Sequence, residues 1–112
     1  MKKNKILILL LFLTVTIEFS LRFFLGFCDA PLYISDESYE YIAAPNQSGK
    51  RFGNTYSFNS FSQRSEEINT NKTKILGLGD SVIYGGVQSD QDSIATSIVN
   101  EKLPNIQMLN IS

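Results

Sequence analysis

The 112 residues of this chain contain no histidine and only one cysteine. Without an imidazole the chain cannot form a Ser-His-Asp triad by itself, because that triad needs histidine to take the proton from serine. A single cysteine cannot form an internal disulfide bond. The formal net charge of −1 leaves no basic excess of the kind that binds nucleic acid. The length suffices for one small domain.

The N-terminal segment is basic at first and then apolar. A lysine-rich start at residues 2–5 precedes the stretch 6–27, which can span a bilayer because about 20 residues are needed. Glu18 and Arg22 are four positions apart, so we expect them to pair on one helix face. The lysines favour a cytoplasmic N-terminus, which would leave the remainder of the chain periplasmic or extracellular.

A cleaved signal peptide is the alternative interpretation, with the lysines as its basic region and residues 6–17 as its apolar region. The bulky residues at 23–27 offer no small-x-small cleavage site. Phe27 precedes Cys28, where a lipoprotein site needs a small residue. We therefore predict an uncleaved transmembrane signal-anchor over residues 1–28, and secretion after cleavage remains the alternative.

Residues 29–73 lack a helical period and are rich in Ser, Asn, Tyr, Phe and Gly. Weak alternation over 38–43 and over 50–61 predicts an irregular element of two or three strands, with a turn cluster at 45–49. We interpret the aromatic residues of this element as a small core, and a carbohydrate site is the alternative. The polar residues 65–72 predict a linker.

Residues 74–112 have the pattern of a strand, a helix and a second strand. The apolar run at 75–78 predicts a buried strand. A helix is predicted to start at Ser89 and to carry an apolar stripe at 94–99, and residues 106–111 predict the next strand. Such a series forms one βαβ unit, so the fold class is α/β.

The stretch Gly79-Asp80-Ser81 follows the first of these strands directly. Parallel α/β sheets bind ligands outside the carboxyl ends of their strands, so a Ser81 hydroxyl at this position can be an exposed nucleophile. The backbone N–H of Ser81 and those of Val82 and Ile83 can point at a developing negative charge. An ordinary turn is the alternative, because Gly, Asp and Ser all favour turns.

With Leu76 before it and Tyr84-Gly85 after it, this stretch resembles the first signature block of the SGNH hydrolases, the GDSL family of serine esterases and acyltransferases. The resemblance implies a flavodoxin-like, three-layer α/β/α fold, of which residues 74–112 would form only the first β-α-β unit. It also implies that Ser81 is the nucleophile and that its N–H is an oxyanion-hole donor. The supporting loop residues would be Gly79, Asp80 and Gly85.

Two further stretches resemble the membrane-anchored bacterial members of that family. Residues 18–23 look like the Glu-x-x-x-Arg tail of their membrane helix. Residues 59–64 look like their Asn-x-x-Gly-Phe-Arg, with the glycine and the aromatic replaced and with Arg64 in the place of the arginine. The resemblance therefore extends over the anchor and the middle segment.

The resemblance implies a membrane-anchored ester hydrolase or O-acyltransferase that acts on acylated cell-envelope carbohydrate or another ester. The lipid bilayer would be bound through residues 6–27, and we predict no cofactor, no metal and no nucleic-acid partner. Asp90 and Asp92 are interpreted as capping residues rather than metal ligands. Because the family's Asp-x-x-His block is absent, we expect a front portion of a longer enzyme, inactive alone. The alternative is a small membrane-anchored binding protein, or a remnant, without enzymatic activity.

Overall fold

A computed structural model of the chain describes residues 2–111. Met1, in the predicted signal-anchor, and Ser112, in the predicted α/β segment, lie outside the described residues. The chain begins with a long helix, continues through two β-hairpins and ends in a two-stranded parallel sheet with a helix packed on one strand. The architecture is mixed α/β, as predicted.

Helix α1 comprises Lys2–Leu25 and is about 36 Å long. The span Lys3–Leu25 is long and apolar enough to cross a membrane, and none of it is buried inside the structure; a signal sequence has the same properties. Arg22 Nε donates to Glu18 Oε1 at 2.5 Å, which confirms the predicted pair. The pair lies in the last two turns of α1, so both charges are in the C-terminal half of the apolar span.

The middle segment forms two antiparallel hairpins. Strands β1 (Tyr33–Asp36) and β2 (Glu40–Ala43) form the first, and β3 (Ser48–Arg51) and β4 (Asn54–Ser57) form the second. The prediction of two or three strands missed β1, whose side chains are largely exposed and therefore lack a clear alternation of buried and exposed residues.

A small core joins the hairpins to the α/β unit. Ala43, Tyr56 and Phe58 are buried, and Tyr84 and Val87 pack against them. The Phe58 ring lies 6.1 Å from that of Tyr56 and 6.2 Å from that of Tyr84. The interpretation of the middle aromatics as core residues is confirmed for Tyr56 and Phe58, which stabilise the fold through buried apolar area. It was wrong for Phe52 and Phe61, which lie in turns and are 44% and 63% exposed.

The C-terminal part confirms the predicted strand, helix and strand. Strand β5 (Thr73–Gly77) leads to the short helix α2 (Ser81–Tyr84) and pairs in parallel with β6 (Ile106–Asn110), and helix α3 (Ala95–Lys102) packs on β6. The prediction that β5 is buried was wrong. Ile75 is 42% exposed and Leu76 is 57% exposed, because two strands with one helix packed on them cannot cover both faces of the sheet.

The predicted start of the helix at Ser89 was also wrong. A 3-10 turn at Gln91–Ser93 comes first, with the Asp90 side chain accepting the Asp92 N–H. Ile94 then adopts an extended backbone and buries its side chain, so that α3 begins only at Ala95. This local hydrogen bond from the Asp92 N–H to the Asp90 side chain competes with a continuous helix.

Residues 65–72, predicted as a linker, are held against the sheet. The buried Ser65 Oγ accepts the Asn110 N–H at 2.8 Å. The Gln107 side chain accepts the Asn69 N–H and donates to the Glu67 carbonyl, both at 2.8 Å. A polar composition suggested a solvated segment, but here the polar groups hydrogen-bond to strand β6.

Candidate active site

Ser81 lies just beyond the carboxyl end of β5, at the first position of the short helix α2 (Ser81–Tyr84). Its side chain is exposed, and among the described residues none hydrogen-bonds to its hydroxyl. This is the position predicted from the sequence. A serine so placed is open to a ligand that approaches the end of the sheet.

Asp80 braces the loop that carries Ser81. Its Oδ1 accepts the Val82 N–H at 2.9 Å, and its carbonyl accepts the Tyr84 N–H at 3.0 Å. Asp80 is therefore the N-cap of α2. The Val82 N–H is already engaged by this cap, so the expectation that it points at a developing negative charge was wrong.

Two glycines permit the sharp path of the chain around Ser81. A Cβ at Gly79 would overlap the Ile83 side chain, which packs over the loop. Gly85 ends α2 with φ +76, in the left-handed region, and its N–H donates to the Ser81 carbonyl at 3.0 Å. A helix end of this kind favours glycine, which has no Cβ to strain.

Arg64 holds the segment that follows α2. Arg64 is 2% exposed, and its guanidinium donates to backbone carbonyls of β4 and of the segment that follows α2. Burial lowers the pKa of Arg64, but a guanidinium stays protonated in proteins and keeps all its donors. The acceptors are the carbonyls of Tyr84 at 3.1 Å, Ser89 at 2.8 Å, Thr55 at 3.5 Å and Gly86, and the Gln91 Oε1 at 3.1 Å.

Asn110 connects the end of β6 to α2. Its Nδ2 donates to the Ile83 carbonyl at 2.8 Å, and its N–H donates to Ser65 Oγ. The next N–H, from Ile111, donates to the Gly77 carbonyl at 3.1 Å and closes the carboxyl ends of the two strands together. The loop that bears Ser81 is therefore tied to both strands.

A cleft of about 730 Å³ opens at this end of the sheet. The loop before Ser81 borders it through Leu78, and β6 borders it through Asn110. The opposite wall is aromatic, and the Tyr33 and Tyr41 rings meet edge-on at 5.8 Å. We call it the tyrosine cleft after its aromatic residues, which are Tyr33, Tyr39, Tyr41 and Phe61.

Tyr84 links α2 to the tyrosine cleft. Its hydroxyl oxygen lies 3.0 Å from that of Tyr33, at hydrogen-bond distance. Burial, followed by this hydrogen bond, raises the pKa of Tyr84 well above the usual value. The Tyr84 phenol therefore stays protonated at neutral pH and is not suited to act as a base.

Asp90 makes the fold sensitive to acid. Its carboxylate accepts the Thr55 N–H at 2.9 Å and the Asp92 N–H at 3.3 Å, which lowers the pKa of Asp90. The carboxylate therefore stabilises the fold above the unfolded pKa of about 3.9, and this contribution is lost as the pH falls through the folded pKa. In Asp90→Asn, the melting temperature should therefore fall less steeply as the pH is lowered below about 4 than it does in the parent chain.

Near-UV circular dichroism of the tyrosines, in detergent micelles, would follow this melting. Asp92→Asn is the matched control, since the Asp92 carboxylate accepts no hydrogen bond from residues 2–111. Its melting temperature should fall with decreasing pH as steeply as that of the parent chain. An equally steep fall of the melting temperature in Asp90→Asn and in the parent chain would contradict the role given to Asp90.

The structure brings together residues that the sequence did not identify as a group. Arg64 stood in a stretch that resembles a family motif, but nothing in the sequence showed that it binds the loop after Ser81. Tyr84 belonged to the stretch that resembles the signature block, but its contacts with Tyr33 and Arg64 could not be predicted, and Ser65 and Asn110 gave no signal, because their partners are distant in the chain. Within residues 2–111, no three His, Cys, Asp or Glu side chains are grouped as metal ligands.

Comparison of the chain with protein-family models, with curated proteins and with solved structures finds no match. The function of the chain is therefore inferred from the geometry around Ser81 and from the chemistry of its neighbours.

Proposed function

We propose that this chain carries the nucleophile of a membrane-anchored serine ester hydrolase or O-acyltransferase of the SGNH type. The observation that carries the proposal is the exposed Ser81 hydroxyl at the carboxyl end of a parallel strand, on a loop braced by Asp80 and next to a cleft. Nucleophilic serines need this combination of an accessible hydroxyl and a rigid loop. The flavodoxin-like fold of the family is part of the proposal.

The proposed reaction is acyl transfer in two steps. Ser81 Oγ attacks the ester carbonyl and gives its proton to a base, and the tetrahedral intermediate expels the alcohol, which takes up that proton. Water or a sugar hydroxyl then attacks the acyl-serine and regenerates Ser81. These 112 residues contain no histidine, so an imidazole base has to come from outside them.

The backbone supplies the electrostatic part of the reaction. The Ser81 N–H lies at the start of α2, where it can donate to the oxygen on which negative charge develops. Asp80 does not face the reaction in this scheme, because its carboxylate caps the Val82 N–H. Its role is to hold the turn that presents Ser81.

The tyrosine cleft supports an acylated carbohydrate as the substrate. Tyr39 is 74% exposed and Tyr41 is 65% exposed, which leaves flat aromatic faces for the apolar face of a sugar ring. Concave sites that combine aromatic walls with a few polar groups are typical of small-ligand binding. Asp36, Ser62 and Gln63 contribute polar side chains to the lining of this cleft.

The test is covalent labelling with a fluorophosphonate in a form of the protein that also contains the Asp-x-x-His block. We expect the label on Ser81, and we expect Ser81→Ala to lose labelling and to lower esterase turnover by about a thousandfold or more. Ser93→Ala is the matched control, because Ser93 is exposed like Ser81 but lies in the 3-10 turn before α3 and not at the carboxyl end of a strand. It should be labelled like the parent.

The 112-residue chain alone should show no esterase turnover, because it has no imidazole to take the serine proton. Turnover by this chain that depends on Ser81 would show that the histidine requirement is wrong. A folded longer form that contains the Asp-x-x-His block and takes no label would disprove Ser81 as the nucleophile.

The second candidate is a membrane-anchored binding protein without catalysis. The exposed tyrosines of the cleft favour it, since a sugar-binding surface needs no nucleophile. Sugar binding that is unchanged in Ser81→Ala, together with absence of labelling in the longer form, would select this candidate.

A further inference from the structure

The tip of the second hairpin has an unusual residue at a strained position. Strands β3 and β4 are joined by Phe52-Gly53, with φ +53 and φ +84. Two-residue hairpin turns with positive φ at both positions favour Asn-Gly or Asp-Gly, and a bulky residue is a rare outlier in the left-handed region. A phenylalanine at this position destabilises the turn more than an asparagine would, which suggests that its ring has a role at the tip.

This tip lies directly against the end of helix α1. Gly26 ends the helix with φ +60, and a Cβ there would overlap the Lys50 carbonyl of β3. The Phe27 and Phe52 rings meet edge-on, with centroids 5.4 Å apart. The Tyr56 hydroxyl donates to the Asp29 carbonyl at 3.3 Å. The second hairpin therefore packs directly against the C-terminal end of α1.

The side chains at this junction combine apolar surface with positive charge. Phe27 is 48% exposed and Phe52 is 44% exposed, and the Arg51 guanidinium lies 4.7 Å from the centre of the Phe52 ring. Lys50 is exposed beside them, and Asp29 is the acidic residue of the connection. Aromatic rings next to Lys or Arg are typical of segments that lie in the headgroup layer of a bilayer.

We propose that the helix-end patch, formed by Phe27, Lys50, Arg51 and Phe52, lies in the headgroup layer of the bilayer leaflet at which α1 ends. The inference rests on the proposed membrane anchoring through α1. The two rings enter the boundary between headgroups and acyl chains, and the two cations contact lipid phosphates. The domain is thereby held on the membrane surface in one orientation, instead of moving freely on its anchor.

The test uses the natural absence of tryptophan from the chain. Phe52→Trp places a single tryptophan at the patch, and Tyr39→Trp places one at the tip of the first hairpin as the matched control. Each full-length variant is reconstituted in vesicles of equal parts phosphatidylcholine and phosphatidylglycerol, with or without brominated phosphatidylcholine. Bromine quenches tryptophan only on contact, so quenching separates lipid contact from packing against protein.

We expect brominated lipid to remove about half of the emission from position 52 and to leave position 39 nearly unchanged, since interfacial side chains sit only about 5–10 Å into the bilayer boundary. Equal quenching at the two positions, or none at position 52, would overturn the inference. Phe27→Trp is the second variant if Phe52→Trp loses the near-UV signal of the fold, and the same quenching is expected from it.

Flotation of the vesicles, read before fluorescence, distinguishes this inference from the proposal on which it rests. A chain that does not float with the vesicles disproves the anchor, and the patch with it. A chain that floats but is not quenched at position 52 leaves the anchor intact and overturns the patch alone. Arg51→Gln in the Phe52→Trp background should reduce quenching; unchanged quenching would overturn the contact with lipid phosphates.

Discussion

Arg64→Lys is expected to lower the free energy of unfolding by about 3 kcal/mol or more, and so to unfold much of the domain around Ser81. The Arg64 guanidinium reaches the carbonyls of Tyr84, Gly86 and Ser89 from one buried position. A lysine has three donors on a single nitrogen and cannot reproduce that planar fork. Partly buried carbonyls would be left without these donors, and a βαβ unit this small has little stability in reserve.

Tyrosine near-UV circular dichroism in detergent micelles is the appropriate measurement for this variant. The far-UV signal would be dominated by α1, which micelles keep helical. Arg51→Lys is the control, because the Arg51 guanidinium lies over the Phe52 ring at the edge of the hairpin and is not buried. Its effect should stay within about 0.5 kcal/mol. Similar melting of the two variants would show that the Arg64 hydrogen bonds do not hold the loop.

Gly85→Ala is expected to destabilise the fold by about 2–4 kcal/mol, because it combines backbone strain with overlap in the core. Gly85 has φ +76, and a Cβ there would lie 2.5 Å from Ile94 Cγ2 and 3.2 Å from Arg64 Nη1. Ile94 is buried and cannot move aside freely. The change should also displace the end of α2, the helix that begins with Ser81.

Gly53→Ala is the control that separates backbone strain from steric overlap. Gly53 has a similar φ of +84, but no atom lies within 4 Å of the position its Cβ would take. This control carries the strain without the overlap and should cost about 1–2 kcal/mol. Thermal unfolding of both variants gives the comparison. An equal loss from the two would mean that contact with Ile94 and Arg64 contributes nothing at Gly85.

The elements with strong local patterns could be predicted from the sequence. The apolar run after the N-terminal lysines predicted α1, and the apolar runs at 75–78 and 106–111 predicted β5 and β6. Glu18 and Arg22 were predicted to pair because their spacing matches one helical turn. Each of these predictions depends on residues that are close together in the chain.

The errors arose where distant residues compete with local preference. The helix was predicted to start at Ser89, but the Ser89 carbonyl is held by Arg64 and the next residues form a separate turn. The segment 65–72 was interpreted as a linker because it is polar, yet it hydrogen-bonds to β6. In both cases a hydrogen bond over more than 20 residues acts on the segment, in the first case together with the local Asp90 turn, and composition carries no signal of such a distant bond.

The sequence by itself determined the apolar helix, the α/β pattern and the position of Ser81 after a strand, because hydrophobic period and turn chemistry act over a few residues. The tertiary structure decided that Arg64 is buried and hydrogen-bonds the loop after α2, and that Asn110 joins β6 to α2. It also decided that tyrosines of the first hairpin line the cleft at the end of the sheet. It also placed Phe52 beside Phe27 at the end of α1. These contacts depend on the packing of separate elements, because only folding brings residues that are distant in the chain within hydrogen-bond or van der Waals range.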